Sequence, residues 1–284
     1  MMLFLVYAAA VSIAKWSKGS FNYKIFKAIL IVLISFGFLD IVNKYPEIIA
    51  VFSTAKPYMN QLITGVGGYV IFVSIGAFFL SSIIGNITRV PSKSIYKFSN
   101  FEVLLLSVGI LGFMKFATNV EQIGPYWTID QGFTNTYFPM ISHINTSIYT
   151  FFNNSIILMF IFSFLNNLTD YGRKRQWLYV IILFLFVFFM NGMIIGNSLG
   201  IDSFNHWIYV SILMSLIFIV LYKFFLVYDL TIIPIIVSII LSSKYLIIST
   251  TNAYPSILMG NMIPAILVIC LGYYFRKYLI NTSL

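Results

Sequence analysis

The sequence predicts an all-α polytopic membrane protein, a helix bundle with eight or nine transmembrane helices. Three observations carry that prediction. Of 284 residues, 60% are hydrophobic and only 9% are Asp, Glu, Lys or Arg, against about 25% charged in a soluble domain. The mean hydropathy is +0.94. The apolar residues also fall into runs near the ~20 residues that cross a hydrocarbon core as a helix. So few charges cannot cover a core against water, which excludes a soluble enzyme, a nucleic-acid binder and a secreted disulfide scaffold. Cys270 is the only cysteine, so no intrachain disulfide or cysteine metal cluster can form. The isoelectric point near 9.5 comes from cations at the ends of apolar runs. There they set membrane orientation and meet anionic headgroups.

Nine runs read as spans: 2–14, 25–43, 61–86, 102–118, 147–165, 177–198, 207–228, 230–250 and 257–275. The first is short. No basic residue precedes Lys15, so it reads as an uncleaved span rather than a signal peptide. Between the second and third spans, Pro46, Glu47 and Pro57 flank the apolar stretch Ile48 to Phe52, which suits a short helix in the interface plane. Residues 119–146 form the longest connection and contain no Lys or Arg. Gly124, Pro125, Tyr126, Trp127, Gly132 and Pro139 give it a turn-rich, aromatic character suited to headgroups. The whole chain, 1–284, reads as one membrane domain: N-terminal spans over 1–118, an outer loop over 119–146 and a bundle over 147–275.

The cations test the span order. Connections after odd-numbered spans hold thirteen: Lys15, Lys18, Lys24, Lys27, Arg89, Lys93, Lys97, Arg173, Lys174, Arg175, Lys223, Arg276 and Lys277. The other side holds four, Lys44, Lys56, Lys115 and Lys244. By the positive-inside rule the N-terminus is outside and the C-terminus cytoplasmic.

Ionisable residues inside a membrane are costly and mark candidate sites. Asp40 has Lys44 four residues on, the spacing of an ion pair on one helix face. Lys115 and Lys244 can snorkel to a surface, and Lys223 and Asp229 bracket the end of the seventh span. None sits at mid-bilayer, where a proton or ion relay would need one. His143 and His206, with Asp130 and Asp202 near in sequence, match no metal-ligand spacing, so neither a metal nor a soluble cofactor is expected. No nucleophilic elbow, Walker loop or zinc helix occurs.

The neutral polar residues say more. Asn153, Asn154 and Ser155 interrupt the fifth span, Asn191 and Asn197 the sixth, and Ser238, Ser242 and Ser243 lie in the eighth. Their plain reading is helix-to-helix bonding, since amides and hydroxyls in hydrocarbon need partners. Gly192 and Gly196, four apart, agree with a close helix contact.

The order of the last five spans carries a resemblance. Thr134-Asn135-Thr136-Tyr137 and Pro139 lead into the helix with the Asn153-Asn154 doublet. A basic turn from Asp170 to Trp177 follows, then a Phe-rich helix ending Phe188-Phe189-Met190-Asn191. Next come a helix finishing at Phe225 to Thr231, another apolar helix, and the stretch Asn252 to Asn261. Over roughly 120–270 this resembles the CAAX-protease and bacteriocin-processing (CPBP) family of intramembrane glutamic proteases, particularly its larger bacterial members. The family uses a Glu pair and an Arg on one helix, a His on the next, and a later His with Asn or Asp, to activate water as general base. Asn153 and Asn154 stand where the Glu pair belongs, Asn191 where the first His does, and Val237 or Ser238 where the second does. No Arg follows on the fifth span. Asparagine has no proton to exchange near neutral pH.

The resemblance therefore implies a catalytically inactive copy, in a bacterial cytoplasmic membrane, binding a membrane-protein partner through a former substrate groove in the outer half. The alternatives are a structural subunit of a larger membrane complex, and a transporter or active enzyme whose site is unrecognised.

Overall fold

The computed structural model describes residues 2–19, 21–86, 98–117, 137–169, 176–194, 204–251 and 255–282. Among them the only regular structure is helical. The helices are α1 (Met2–Ser17), α2 (Tyr23–Asn43), α3 (Tyr45–Ala50), α4 (Tyr58–Gly85), α5 (Asn100–Ala117), α6 (Pro139–Thr169), α7 (Gln176–Ile194), α8 (Phe204–Leu221), α9 (Ile233–Thr251) and α10 (Pro255–Thr282). A π turn, Tyr222–Leu226, and a 3-10 turn, Leu230–Ile232, join α8 to α9. Among the described residues five segments are long and apolar enough to cross a membrane: Tyr23–Asn43, Tyr58–Gly85, Met140–Asn166, Leu230–Ile247 and Gly260–Asn281. They are consistent with an integral membrane protein.

Local chemistry starts the helices. Asn22 caps α2, its side chain accepting from the Ile25 N–H at 3.2 Å. Ser99 and Glu102 form a reciprocal capping box on α5, each side chain accepting from the other's backbone N–H, at 3.2 and 2.7 Å. Proline opens α6 and α10, where a missing N–H costs no intrahelical bond. That explains one departure from the sequence reading. The outer loop does not extend to 146, because the helix begins at Pro139 and carries Ser142, Asn145 and Ser147 on buried positions. A short helix, Tyr45–Ala50, overlaps the stretch Ile48 to Phe52 where the sequence suits one. Residues 118–136 lie outside the described residues.

The closest pairings are α9 with α10, α2 with α4, and α7 with α8; α6 is the hub, touching α2, α4, α7, α9 and α10. Lipid is as apolar as leucine, so helices in it are held by close packing and polar bonds rather than by expelling water. Three glycines show this. Gly37 lies against Val73 and Tyr149, Gly85 against the Phe21 ring, and Gly272 against Ser238 and the Pro234 carbonyl. Aromatic rings fill the space around the hub. Phe151 and Phe152 meet Phe275, while Phe162 stacks on Tyr222 and Phe218.

Contacts between helix ends join like with like. Phe21, Asn22, Lys15 and Asn86 gather at one end, with Phe98, Asp229, Arg276 and the Lys24–Tyr278 contact. Asn43 and Phe138 meet at the other. Successive long helices thus alternate in direction, and the first group is the cation-rich end. Exposed Trp16, Tyr23, Trp177, Tyr228 and Tyr274 stand at that end, and Tyr58, Tyr137 and Tyr209 at the opposite one.

Candidate functional site

Among the described residues the polar groups of the bundle include three clusters, a buried hydrogen bond of 2.8 Å from the Tyr222 hydroxyl to Asn166, and one doublet. The first cluster surrounds Asp40 on the last turn of α2. Its carboxylate pairs with Lys44 at 3.0 Å and accepts from the Tyr69 hydroxyl of α4 at 2.7 Å. The ion pair is the one the four-residue spacing predicts. Asn145 of α6 approaches the same carboxylate at 3.5 Å, and Tyr149 donates to the Leu33 carbonyl at 2.6 Å. One turn on, Asn43 clamps the start of α6: its side chain accepts from the Phe138 N–H at 2.8 Å and donates to the Phe138 carbonyl at 3.0 Å. Replacing Asn43 by Ala removes both bonds and leaves the Phe138 groups unpaired. We expect a loss of about 1–3 kcal/mol, measured as a lowered unfolding midpoint in detergent.

The second cluster is at the cation-rich end. Asp229 caps the 3-10 turn, accepting from the Thr231 N–H at 2.9 Å and the Thr231 hydroxyl at 2.6 Å. Its second oxygen meets Arg276 of α10 at 3.5 Å, and Arg276 donates to the Phe98 carbonyl at 2.8 Å. One guanidinium so ties α10, the start of α5 and the turn before α9. Lys223 is exposed and does not share this pairing. The third cluster joins α1 to α4. Asn86 donates to the Ser12 hydroxyl at 2.6 Å, Ser12 donates to the Ser82 carbonyl at 3.3 Å, and Lys15 donates to the Asn86 carbonyl at 2.6 Å.

These clusters staple helices. Ser242 does the same, donating to the Ala265 carbonyl across the α9–α10 contact at 2.7 Å. Ser238 donates within its own helix to Ile235 at 2.8 Å and is pressed against Gly272.

The doublet differs. Asn153 and Asn154 are half-buried on α6, and neither makes a hydrogen bond among the described residues. They lie near the middle of the 31-residue helix, not in its outer part as a start at 147 implied. No described contact joins them to Ser238. The side chain of Asn191, the packing around Gly192 and all of Gly196 lie outside the described residues. His143 is half-buried in the first turns of α6, and the His206 side chain lies outside the described residues.

Near the start of α4, Phe52, Lys56, Asn60, Gln61, Thr64 and Gly65 line an open depression of about 320 Å³. Beside it the Tyr45 and Tyr58 hydroxyls share a hydrogen bond of 2.8 Å, which holds the Tyr45 phenol above its ordinary titration range. The depression is open, and two of its polar side chains are already engaged: Gln61 bonds the Ser53 and Lys56 backbone, and the Thr64 hydroxyl donates to the Asn60 carbonyl.

Comparison with protein-family models, with curated proteins and with solved structures gives no match.

Proposed function

We propose that this chain is a catalytically inactive, intramembrane-protease-like membrane protein that binds a membrane-protein partner through the Asn153–Asn154 face of α6. The observation that carries this reading is the doublet itself. Two adjacent carboxamides sit half-buried at mid-helix, unbonded among the described residues. Asp40, Asn43, Ser242 and Arg276 are spent on their neighbours. The hydroxyls of Ser81, Ser142, Ser155 and Ser211 also lack a partner among the described residues but are enclosed within the bundle, whereas the doublet is only half-buried. In hydrocarbon an unbonded amide is costly, and a polar group on an incoming helix or transmembrane peptide relieves that cost. An Asn pair binds such a segment without cleaving it, since it supplies no general base.

In this reading all nine long helices cross a bacterial cytoplasmic membrane, with the N-terminus outside and the C-terminus inside. The cation-rich end and the exposed aromatic residues at both ends support it. Reporter fusions at successive connections test the orientation.

The test of function is purification in mild detergent from native membranes, with co-purifying proteins quantified. Asn153→Ala and Asn154→Ala are each expected to weaken retention of a stoichiometric partner about threefold, the worth of one interhelical hydrogen bond of ~0.6 kcal/mol. Abundance should not change. If the double variant retains its partner in full, the reading fails.

A second reading, a structural subunit of a larger assembly, is favoured by α4. Its outward face is mostly exposed, and Gly67, Gly68 and Gly76 have open space beside the backbone, which admits a close helix neighbour. Gly68→Leu would then dissociate a complex that Asn153→Ala leaves intact.

A further inference from the structure

The helices α2 and α10 both lie against α6. They meet at the cation-rich end, where the Tyr278 hydroxyl donates to the Lys24 carbonyl at 3.4 Å. This contact gathers three exposed cations: Lys24 and Lys27, one turn apart on α2, and Lys277 beside Tyr278 on α10. Among the described residues the ion pairs are Asp40–Lys44 and Asp229–Arg276, and the three lysines belong to neither. Among the described residues, carboxylates are scarce at this end. Glu102 is engaged in the α5 capping box and Asp229 by Arg276.

Below the lysines each helix presents an exposed apolar stripe, Ile31 and Phe38 on α2, Ile266 and Ile269 on α10. Exposed Tyr23 and Tyr274 flank the lysines, in the position aromatic side chains take at headgroup level. Beyond the Tyr278–Lys24 contact α2 and α10 do not pack on each other but both on α6, so the seam between them is a cleft. A cationic rim with apolar stripes below it on either side matches one ligand in charge and shape: a phosphate carrying acyl chains.

We propose that the seam between α2 and α10 binds an anionic phospholipid, its phosphate among Lys24, Lys27 and Lys277 and its chains along the two stripes. The flexible lysine stems let three ammonium groups converge on one phosphate at the interface. A zwitterionic lipid brings its own ammonium and gains less. This site is independent of the Asn153–Asn154 face, so either can fail alone.

The test uses the full chain purified in detergent, with dioleoylphosphatidylglycerol or dioleoylphosphatidylcholine added. Bound lipid is counted by native mass spectrometry, and the thermal unfolding midpoint is followed. The glycerol lipid should be retained in preference and should raise the midpoint. Lys277→Gln should weaken that retention about fivefold, and the triple change K24Q/K27Q/K277Q more than tenfold. Lys18→Gln with Lys223→Gln, exposed cations of the same end but off the seam, should retain it.

Equal retention of both lipids, or equal loss in the off-seam variant, would overturn the site and leave a diffuse surface field. Equal stabilisation by inorganic phosphate would overturn the lipid as occupant. Should the triple variant fail to fold, an unchanged retention by Lys277→Gln alone refutes the proposal.

Discussion

Replacing Arg276 by Met is expected to destabilise the protein by about 3–5 kcal/mol, the usual cost of stranding one partner of a buried ion pair. The side chains of Arg276 and Asp229 are only 7% and 11% exposed. Methionine keeps most of the stem volume, so the loss reports charge and hydrogen bonding rather than a cavity. Asp229 would remain fixed by its bonds to Thr231, facing no cation, and the Phe98 carbonyl would lose its donor. The decisive companion is the double variant with Asp229→Asn. Asparagine still accepts from the Thr231 N–H but carries no charge, so the pair should recover much of the loss. Unfolding in mixed micelles measures both. If the double variant is no better than the single one, the ion pair is not what holds this corner.

Enlarging Gly272 should be almost as damaging. A Cβ at this position would collide with the Ser238 side chain and reach 3.0 Å from the Pro234 carbonyl, at the most extensive helix contact in the bundle. Neither obstacle is the free end of a long side chain, so α9 and α10 must part. Gly272→Ala should cost about 1–3 kcal/mol, the range for overpacking, and Gly272→Leu should prevent accumulation of folded protein. Ser238→Gly in the Gly272→Ala background removes the main obstacle and should restore stability. The same pair distinguishes two roles for Ser238. If it belonged to a binding groove, Ser238→Gly alone would weaken partner retention; as a packing residue it should leave retention unchanged.

Much of this architecture is legible in the sequence because it rests on local signals. Long apolar runs and cations at alternate ends mark the helices and their directions, and Asp40 with Lys44 is visible as a four-residue spacing. The capping box of α5 is equally local, Ser99 and Glu102 standing three residues apart at the head of an apolar run. The helix start at Pro139 was hidden by composition. Ser142, His143, Asn145 and Thr146 look like loop, and only burial of this polar face against neighbouring helices makes them a helix. That error of eight residues also misplaced Asn153, moving it from the middle of α6 to its outer part. The pairing of Asp229 with Arg276 was beyond reach for another reason. Nothing local links residues so far apart in the chain, and only the docking of α10 brings them together. Asn153 and Asn154 lie at the same limit: the sequence shows the doublet, but its half-burial without a hydrogen bond among the described residues follows only from the packing of the bundle.

The hub helix has a mechanical consequence. At 31 residues and 1.5 Å per residue, α6 is about 46 Å long, against a hydrocarbon core of about 30 Å. The excess is polar: Asn145 and Asn166 stand 21 residues apart, about 32 Å, so the apolar part between them matches such a core. A lone helix could shift the depth of those two ends by leaning over. Here α2, α4, α9 and α10 grip the flanks of α6, so it cannot lean without shearing four contacts. In a bilayer thinner than ~30 Å the lipid beside this helix must therefore stretch to meet it, and the bundle keeps its own register against the membrane.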